Sequence, residues 1–168
     1  AIEPVCASNP AAVDSALSLG VMKKLKYALE YKNSHLPVVP EASLQAGQEG
    51  FVEVLCQTLI EREDDPVMCS LCIATIPHIC MFVPDSTPEV YTFGVFGVLC
   101  KLSRSGNHHA TLIIALICSS VPKARHDAIS LGCLDWLCGP DYLKSPSPAQ
   151  LTAAVFALSS ITNPVKPI

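Results

Sequence analysis

Two stretches of this chain spell nearly the same ten residues, ALSLGVMKKL at 16–25 and AISLGCLDWL at 128–137. In both, a glycine follows a short helix-forming segment, and a leucine stands five positions after that glycine. Glycine commonly ends helices, because it adopts the left-handed backbone of the closing turn without steric strain. The two stretches therefore predict the same local structure twice, a turn between two short helices.

The glycine-to-leucine spacing recurs along the whole chain. It is found at Gly20 to Leu25, Gly50 to Leu55, Gly94 to Leu99 and Gly132 to Leu137. The two middle copies, GFVEVLC at 50–56 and GVFGVLC at 94–100, also share Val-Leu-Cys and start 44 residues apart. Periods of about 40–47 residues are typical of repeats built from two or three helices.

The residues after each glycine predict two further helices per repeat. Apolar residues at intervals of three and four, as at Val52, Leu55 and Leu59, favour a second helix with one buried face. A polar turn then leads to a third helix that is apolar on nearly all sides, such as ATLIIALICSSV at 110–121. Such a helix needs cover on most of its surface, and stacked repeats provide that cover. Within one of these helices, Pro77 is expected to end or kink the helix.

The segment SPSPAQLTAAVFALSSIT at 145–162 resembles the third helix of an armadillo repeat with its entry turn. The glycine turns resemble the join between the first and second helices of that repeat. The resemblance implies an all-α fold, a right-handed α-solenoid of about four armadillo-like repeats with the first one incomplete. We interpret 1–168 as a single armadillo-like helical repeat domain. Its units are approximately 8–31, 47–83, 87–121 and 122–162, with 32–46 a loop or degenerate helix.

In this family the third helices line a concave groove that binds peptides or partner proteins. The best-known binders of extended peptides carry a tryptophan and an asparagine four residues apart on those helices. The matching pairs here are Phe156 with Ser160, Ile114 with Cys118, and Ser70 with Ala74. Because the asparagines are missing, we expect an apolar groove that accepts a partner helix or a short apolar motif. The same positions could instead pack against further repeats.

Composition excludes several other classes of protein. The chain has 15% charged residues and a net charge of −4, which disfavours general nucleic-acid binding. No apolar run approaches the roughly 18 residues that span a bilayer. Nine cysteines in apolar segments favour free thiols in a reducing compartment, hence a cytoplasmic or nuclear location. The chain begins with Ala, and we expect it to be a fragment of a larger protein.

Four residues have a spacing that zinc ligands could use: Cys69, Cys72, His78 and Cys80. The apolar residues between them favour buried thiols over a metal site. The sequence contains no glycine-rich phosphate loop, serine nucleophile elbow or paired carboxylate motif. We therefore predict no catalytic residues, no cofactor and no enzymatic activity.

Surface anchors for a partner are a separate prediction. Lys23 and Lys24 lie on the helix after Gly20, and Trp136 is the chain's one tryptophan. A lone tryptophan can anchor an interface, or it can cover the short helix that Gly139-Pro140 ends.

The sequence thus favours a non-enzymatic protein–protein interaction module or scaffold. The alternative is a structural segment of a longer scaffold used for assembly or oligomerisation, with self-association. A zinc-binding or thiol-dependent enzyme is a third hypothesis.

Overall fold

A computed structural model describes residues 50–144 and 146–163, which form helices and contain no strand. The all-α prediction is confirmed for these residues. The first predicted repeat lies outside them, as do Gly20, Lys23 and Lys24 and the segment 32–46. In chain order the helices are α1 (Phe51–Glu61), α2 (Pro66–Phe82), α3 (Ser86–Thr92), α4 (Phe96–Arg104), α5 (His108–Ser120), α6 (Pro122–Ser130), α7 (Cys133–Leu137), α8 (Pro140–Leu143) and α9 (Pro148–Thr162).

The described residues belong to two compact units, one that ends at Glu89 and one that begins at Val90. The division falls within α3. The organisation into four repeats stays a prediction.

The glycine turn predicted from the sequence is present in both units. Gly50, Gly94 and Gly132 have φ of 73°, 78° and 74°. Gly50 and Gly132 directly precede α1 and α7, and Gly94 lies two residues before the start of α4. A side chain would be strained in this left-handed conformation, which explains why glycine recurs at the same point of the pattern.

In the first unit α1 packs against α2. The buried stripe predicted on α1 is confirmed, because Val52, Leu55 and Leu59 are each at most 1% exposed. The Asp65 carboxylate caps α2 by accepting hydrogen bonds from the backbone of the first turn. The helix does not end at Pro77 but continues to Phe82. The loss of one backbone hydrogen bond at Pro77 is offset by burial of the apolar residues around it.

In the second unit α5 is the central helix, and α4, α6 and α9 all pack against it. Its buried residues lie on almost every side: Ala110, Thr111, Ile113, Ile114, Ala115, Ile117 and Cys118. The Asn107 side chain caps α5 by accepting a hydrogen bond from the Ala110 amide at 3.1 Å. The apolar run in the sequence is therefore a core helix, as its uniform hydropathy predicts.

A chain of hydrogen bonds crosses the core of this unit. Ser103 of α4 bonds to Thr111 of α5 at 2.8 Å, and Thr111 bonds to the Tyr142 hydroxyl at 3.0 Å. The Trp136 indole N–H donates to Ser103 at 3.3 Å. All three buried hydroxyls have partners, so their burial carries no penalty for unsatisfied polar groups.

The glycine turn can be tested with two alanine substitutions three residues apart. Gly94→Ala should lower the free energy of unfolding by about 1 kcal/mol, because alanine is strained at positive φ. Gly97→Ala should raise it by roughly 0.5–1 kcal/mol, because alanine is the better helix former. Gly97 lies within α4, whereas Gly94 precedes it. A Cβ added at either position would meet no atom within 4 Å, so steric contacts do not distinguish the two sites.

Urea denaturation of both variants under reducing conditions measures these changes. Destabilisation by both substitutions, to a similar degree, would contradict the requirement for a left-handed turn at Gly94.

Candidate interaction surface

Four of the six predicted groove residues are buried. Ile114, Cys118, Ala74 and Ser160 are 1%, 0%, 8% and 6% exposed. Ile114 and Cys118 lie in the interior because α5 is covered by its three neighbouring helices. Ser70 and Phe156 are exposed, the first on α2 and the second on α9.

Phe156 belongs to a larger exposed apolar face on α9. Leu151, Val155 and Phe156 are 44%, 66% and 38% exposed, and together with Thr152 and Ser159 they line one open depression of about 520 Å³. Positions four apart lie on the same side of a helix, so these five residues form one continuous strip. We call this strip the α9 face.

The α9 face is electrically neutral. No charged residue occurs anywhere in α9, whose sequence is PAQLTAAVFALSSIT. An uncharged apolar strip suits a partner that offers apolar side chains rather than an acidic or basic motif.

The opposite side of α9 packs closely against α5. The residues buried there are mostly small: Ala153, Ala154, Ala157, Ser160 and Ile161. Leu151, Val155 and Phe156 are thereby left on the solvent side. This arrangement explains why sequence reasoning missed Leu151 and Val155, since a helix with apolar residues on every side does not reveal which side is covered.

Hydrogen bonds fix both ends of α9. At its start, Ser147 and Gln150 form a capping box, and the Gln150 amide also donates to the Gly106 carbonyl at 2.9 Å. At its end, Arg125 of α6 donates to the Asn163 carbonyl at 2.7 Å and to carbonyls at the end of α5. A cation at the carboxyl ends of two helices also interacts favourably with their dipoles. These hydrogen bonds therefore hold both ends of α9, and with them the α9 face, in a fixed position.

Other exposed apolar side chains in the described residues are more scattered. They are Ile60, Val67, Met81 and Phe82 in the first unit and Ile129 and Leu131 in the second. Single exposed apolar residues are normal on protein surfaces. The α9 face differs because three large side chains share one helix side and one depression.

Trp136 is held by residues of its own unit. Its indole bonds to Ser103, and the Arg104 guanidinium carbon lies 4.9 Å from the centroid of its ring. This cation–π contact and the hydrogen bond join α7 to α4. These contacts place Trp136 against α4, and both roles predicted for it stay predictions.

The possible zinc ligands do not converge. Among residues 50–144 and 146–163, no group of three or more His, Cys, Asp and Glu side chains could hold a metal ion. The Cys69 thiol donates to the Arg62 carbonyl at 3.3 Å, and Cys72 and Cys80 are buried.

Burial makes most of the described cysteine thiols weaker acids than a free thiol. It raises the pKa of Cys72 and of Cys118 to about 12 and that of Cys80 to about 11. Burial also raises the pKa of Cys56. Because the thiolate is the nucleophile, these four cysteines are poorly suited to attack a substrate at neutral pH.

Neither a family model, nor a curated protein, nor a solved structure matches this chain. None of the described helices is both long and apolar enough to cross a bilayer.

The buried thiols predict loss of stability at alkaline pH. An unfolded thiol ionises near its ordinary pKa of 9.0, whereas Cys80 keeps its proton up to about pH 11 and Cys72 up to about pH 12. Above about pH 9 the unfolded state therefore binds fewer protons than the folded state. The free energy of unfolding consequently falls with rising pH. Each such thiol contributes a slope of up to about 1.4 kcal/mol per pH unit.

Urea denaturation between pH 7.5 and 10.5 in the presence of a phosphine reductant measures this slope. Cys72→Ala combined with Cys80→Ala should flatten it, while Cys138→Ala, which removes an exposed thiol, should leave it unchanged. An unchanged slope in the double variant would show that other groups cause the alkaline loss.

Proposed function

We propose that this chain is a non-enzymatic protein-interaction module that binds an amphipathic helix of a partner protein on the α9 face. The observation that carries the proposal is the exposure of Leu151, Val155 and Phe156 on one side of an uncharged, firmly held helix. Burial of these side chains by a partner would provide the main favourable free energy of binding.

A helical partner fits this surface better than an extended one. An extended peptide binds through backbone hydrogen bonds, which need an open strand edge or a ladder of side-chain amides. The α9 face offers apolar side chains at helical spacing, with hydroxyls at Thr152 and Ser159. A second helix can pack across such a strip by placing its own apolar ridge between these side chains.

The proposal includes an armadillo-like solenoid as the scaffold. Two contacts in the second unit support it, because α4 packs with α7 and α5 packs with α9. These are the second and third helices of successive predicted repeats, so equivalent helices lie side by side as they do in stacked repeats. The recurrent left-handed glycine before the second helix is a further support. The buried thiols are consistent with a module that works in the cytoplasm or nucleus.

The α9 face can be tested with Val155→Lys in the full 168-residue chain. The probes are 18-residue amphipathic helical peptides with Leu and Met at intervals of three and four, and scrambled peptides of the same composition. We expect the wild-type protein to bind the amphipathic peptides, and Val155→Lys to weaken binding at least tenfold, which is about 1.4 kcal/mol. The reason is that the partner would then bury an unpaired charge. Fluorescence anisotropy of labelled peptides measures the affinity.

Ile129→Lys is the matched control. Ile129 is 51% exposed on α6 of the same unit but does not line the depression. This substitution should leave the affinity unchanged, and circular dichroism should show native helix content for both variants. Equal binding by wild type and Val155→Lys, or no preference for amphipathic over scrambled peptides, would overturn the proposal.

Sedimentation velocity distinguishes the alternative role in assembly. A wild-type dimer that Val155→Lys converts to a monomer would identify the occupant as a second copy of the chain, and would replace the proposal of a separate partner.

A further inference from the structure

Two buried thiols in the second unit lie against each other. The sulfur atoms of Cys100 on α4 and Cys133 on α7 are 3.7 Å apart. Cys100 is 6% exposed and Cys133 is fully buried. A disulfide bond is about 2.05 Å long, so the two sulfurs are in contact but not bonded.

The helix that carries Cys133 is short and bounded by glycines. α7 has five residues, Gly132 precedes it with φ of 74°, and Gly139-Pro140 follows it. A single turn of helix between two glycines can shift with less disturbance than the long central helix α5.

The surroundings make the two thiols unequal. The hydrogen bond with Cys133 and the positive charge of Arg104 lower the pKa of Cys100, although burial opposes them. The same hydrogen bond, together with burial, raises the pKa of Cys133. Two sulfur atoms in contact beside a guanidinium group are an arrangement in which one cysteine can attack an oxidant and the other can complete a disulfide.

We propose that Cys100 and Cys133 are a redox modification site, at which a hydroperoxide drives formation of a reversible disulfide that joins α4 to α7. The site is separate from the α9 face, and the inference does not depend on the proposed function.

The reaction proceeds in two displacements. The Cys100 thiolate attacks one oxygen of the hydroperoxide, an S–O bond forms, and the O–O bond breaks. The departing alkoxide takes up the proton that Cys100 lost and leaves as an alcohol, or as water when the oxidant is hydrogen peroxide. Cys100 is then a sulfenic acid, oxidised by two electrons, and the hydroperoxide has been reduced.

In the second step the Cys133 sulfur attacks the sulfur of Cys100. The S–S bond forms and the S–O bond breaks, and hydroxide leaves with the Cys133 proton as water. In total, two thiols and one hydroperoxide give one disulfide, one alcohol and one water. A dithiol reductant reverses the change by thiol–disulfide exchange.

Trp136 lies next to this site and can report on it. It is the chain's one tryptophan, and it shares α7 with Cys133. Its indole bonds to Ser103 and its ring packs under Arg104, both on α4. Closure of the disulfide changes the position of α7 against α4, so the fluorescence of Trp136 should change with oxidation.

The test uses the full chain, reduced and then freed of reductant, and titrated with hydrogen peroxide under native conditions. Non-reducing peptide mapping by mass spectrometry should find a peptide that links Cys100 to Cys133. The emission of Trp136 should shift in parallel and return after addition of dithiothreitol. The midpoint of thermal unfolding should rise by several degrees, because the bond closes a loop that contains α5 and α6.

Three variants control the assignment. Cys133→Ser should abolish the link and the fluorescence shift, and should leave Cys100 as a sulfenic acid that dimedone traps. Cys133→Ala checks the same loss with a second side chain if the serine disturbs the core. Cys138→Ser removes an exposed thiol just beyond α7 and should leave the link intact.

Two results would overturn the proposal. One is a linked peptide that joins Cys100 or Cys133 to a different cysteine, such as Cys118 or Cys138. The other is recovery of both thiols in the reduced state after peroxide has oxidised Cys138, which would make the contact between them simple packing.

Discussion

The close contact between α5 and α9 is the interaction on which the second unit depends. α5 is buried on almost all sides, and α9 covers one of them with a surface made mostly of Ala and Ser. Small side chains let two helix backbones approach, so apolar contact is made over much of their length. The same contact leaves Leu151, Val155 and Phe156 facing outward. The side of α9 that meets α5 therefore determines both the core of this unit and the composition of the α9 face.

Polar contacts give this packing its register. Gln150 holds the start of α9 to the turn before α5, and Arg125 holds the end of α9 to the end of α5. Apolar packing alone has little directional preference, whereas these bonds form at one position along the helix axis only. The network from Trp136 through Ser103 and Thr111 has the same effect for α4, α5 and α7. Helices with similar apolar surfaces need such directional contacts, because otherwise they could slide past one another.

The described cysteines differ in their surroundings. Most are packing residues whose thiols are kept protonated by burial, and they act as small apolar side chains. Cys100 and Cys133 differ because they lie in contact with each other and close to a guanidinium group. Composition alone counts all of them as equivalent thiols, and only the distance between two sulfur atoms singles out the pair for which we propose a disulfide.

The sequence by itself determined the class of secondary structure and the positions of the turns. Spacing of three and four around Leu55 predicts the buried stripe of α1, and the recurrent glycines predict the left-handed turns found at Gly50, Gly94 and Gly132. These features are local, because they depend on the backbone freedom of one residue and on the periodicity of one helix. Only the tertiary structure decided which residues of α5 and α9 are exposed, since both helices are apolar on nearly every side and carry little periodic signal. Ile114 is buried and Val155 is exposed because of the neighbours that each helix meets, and those neighbours are brought together by contacts distant in sequence.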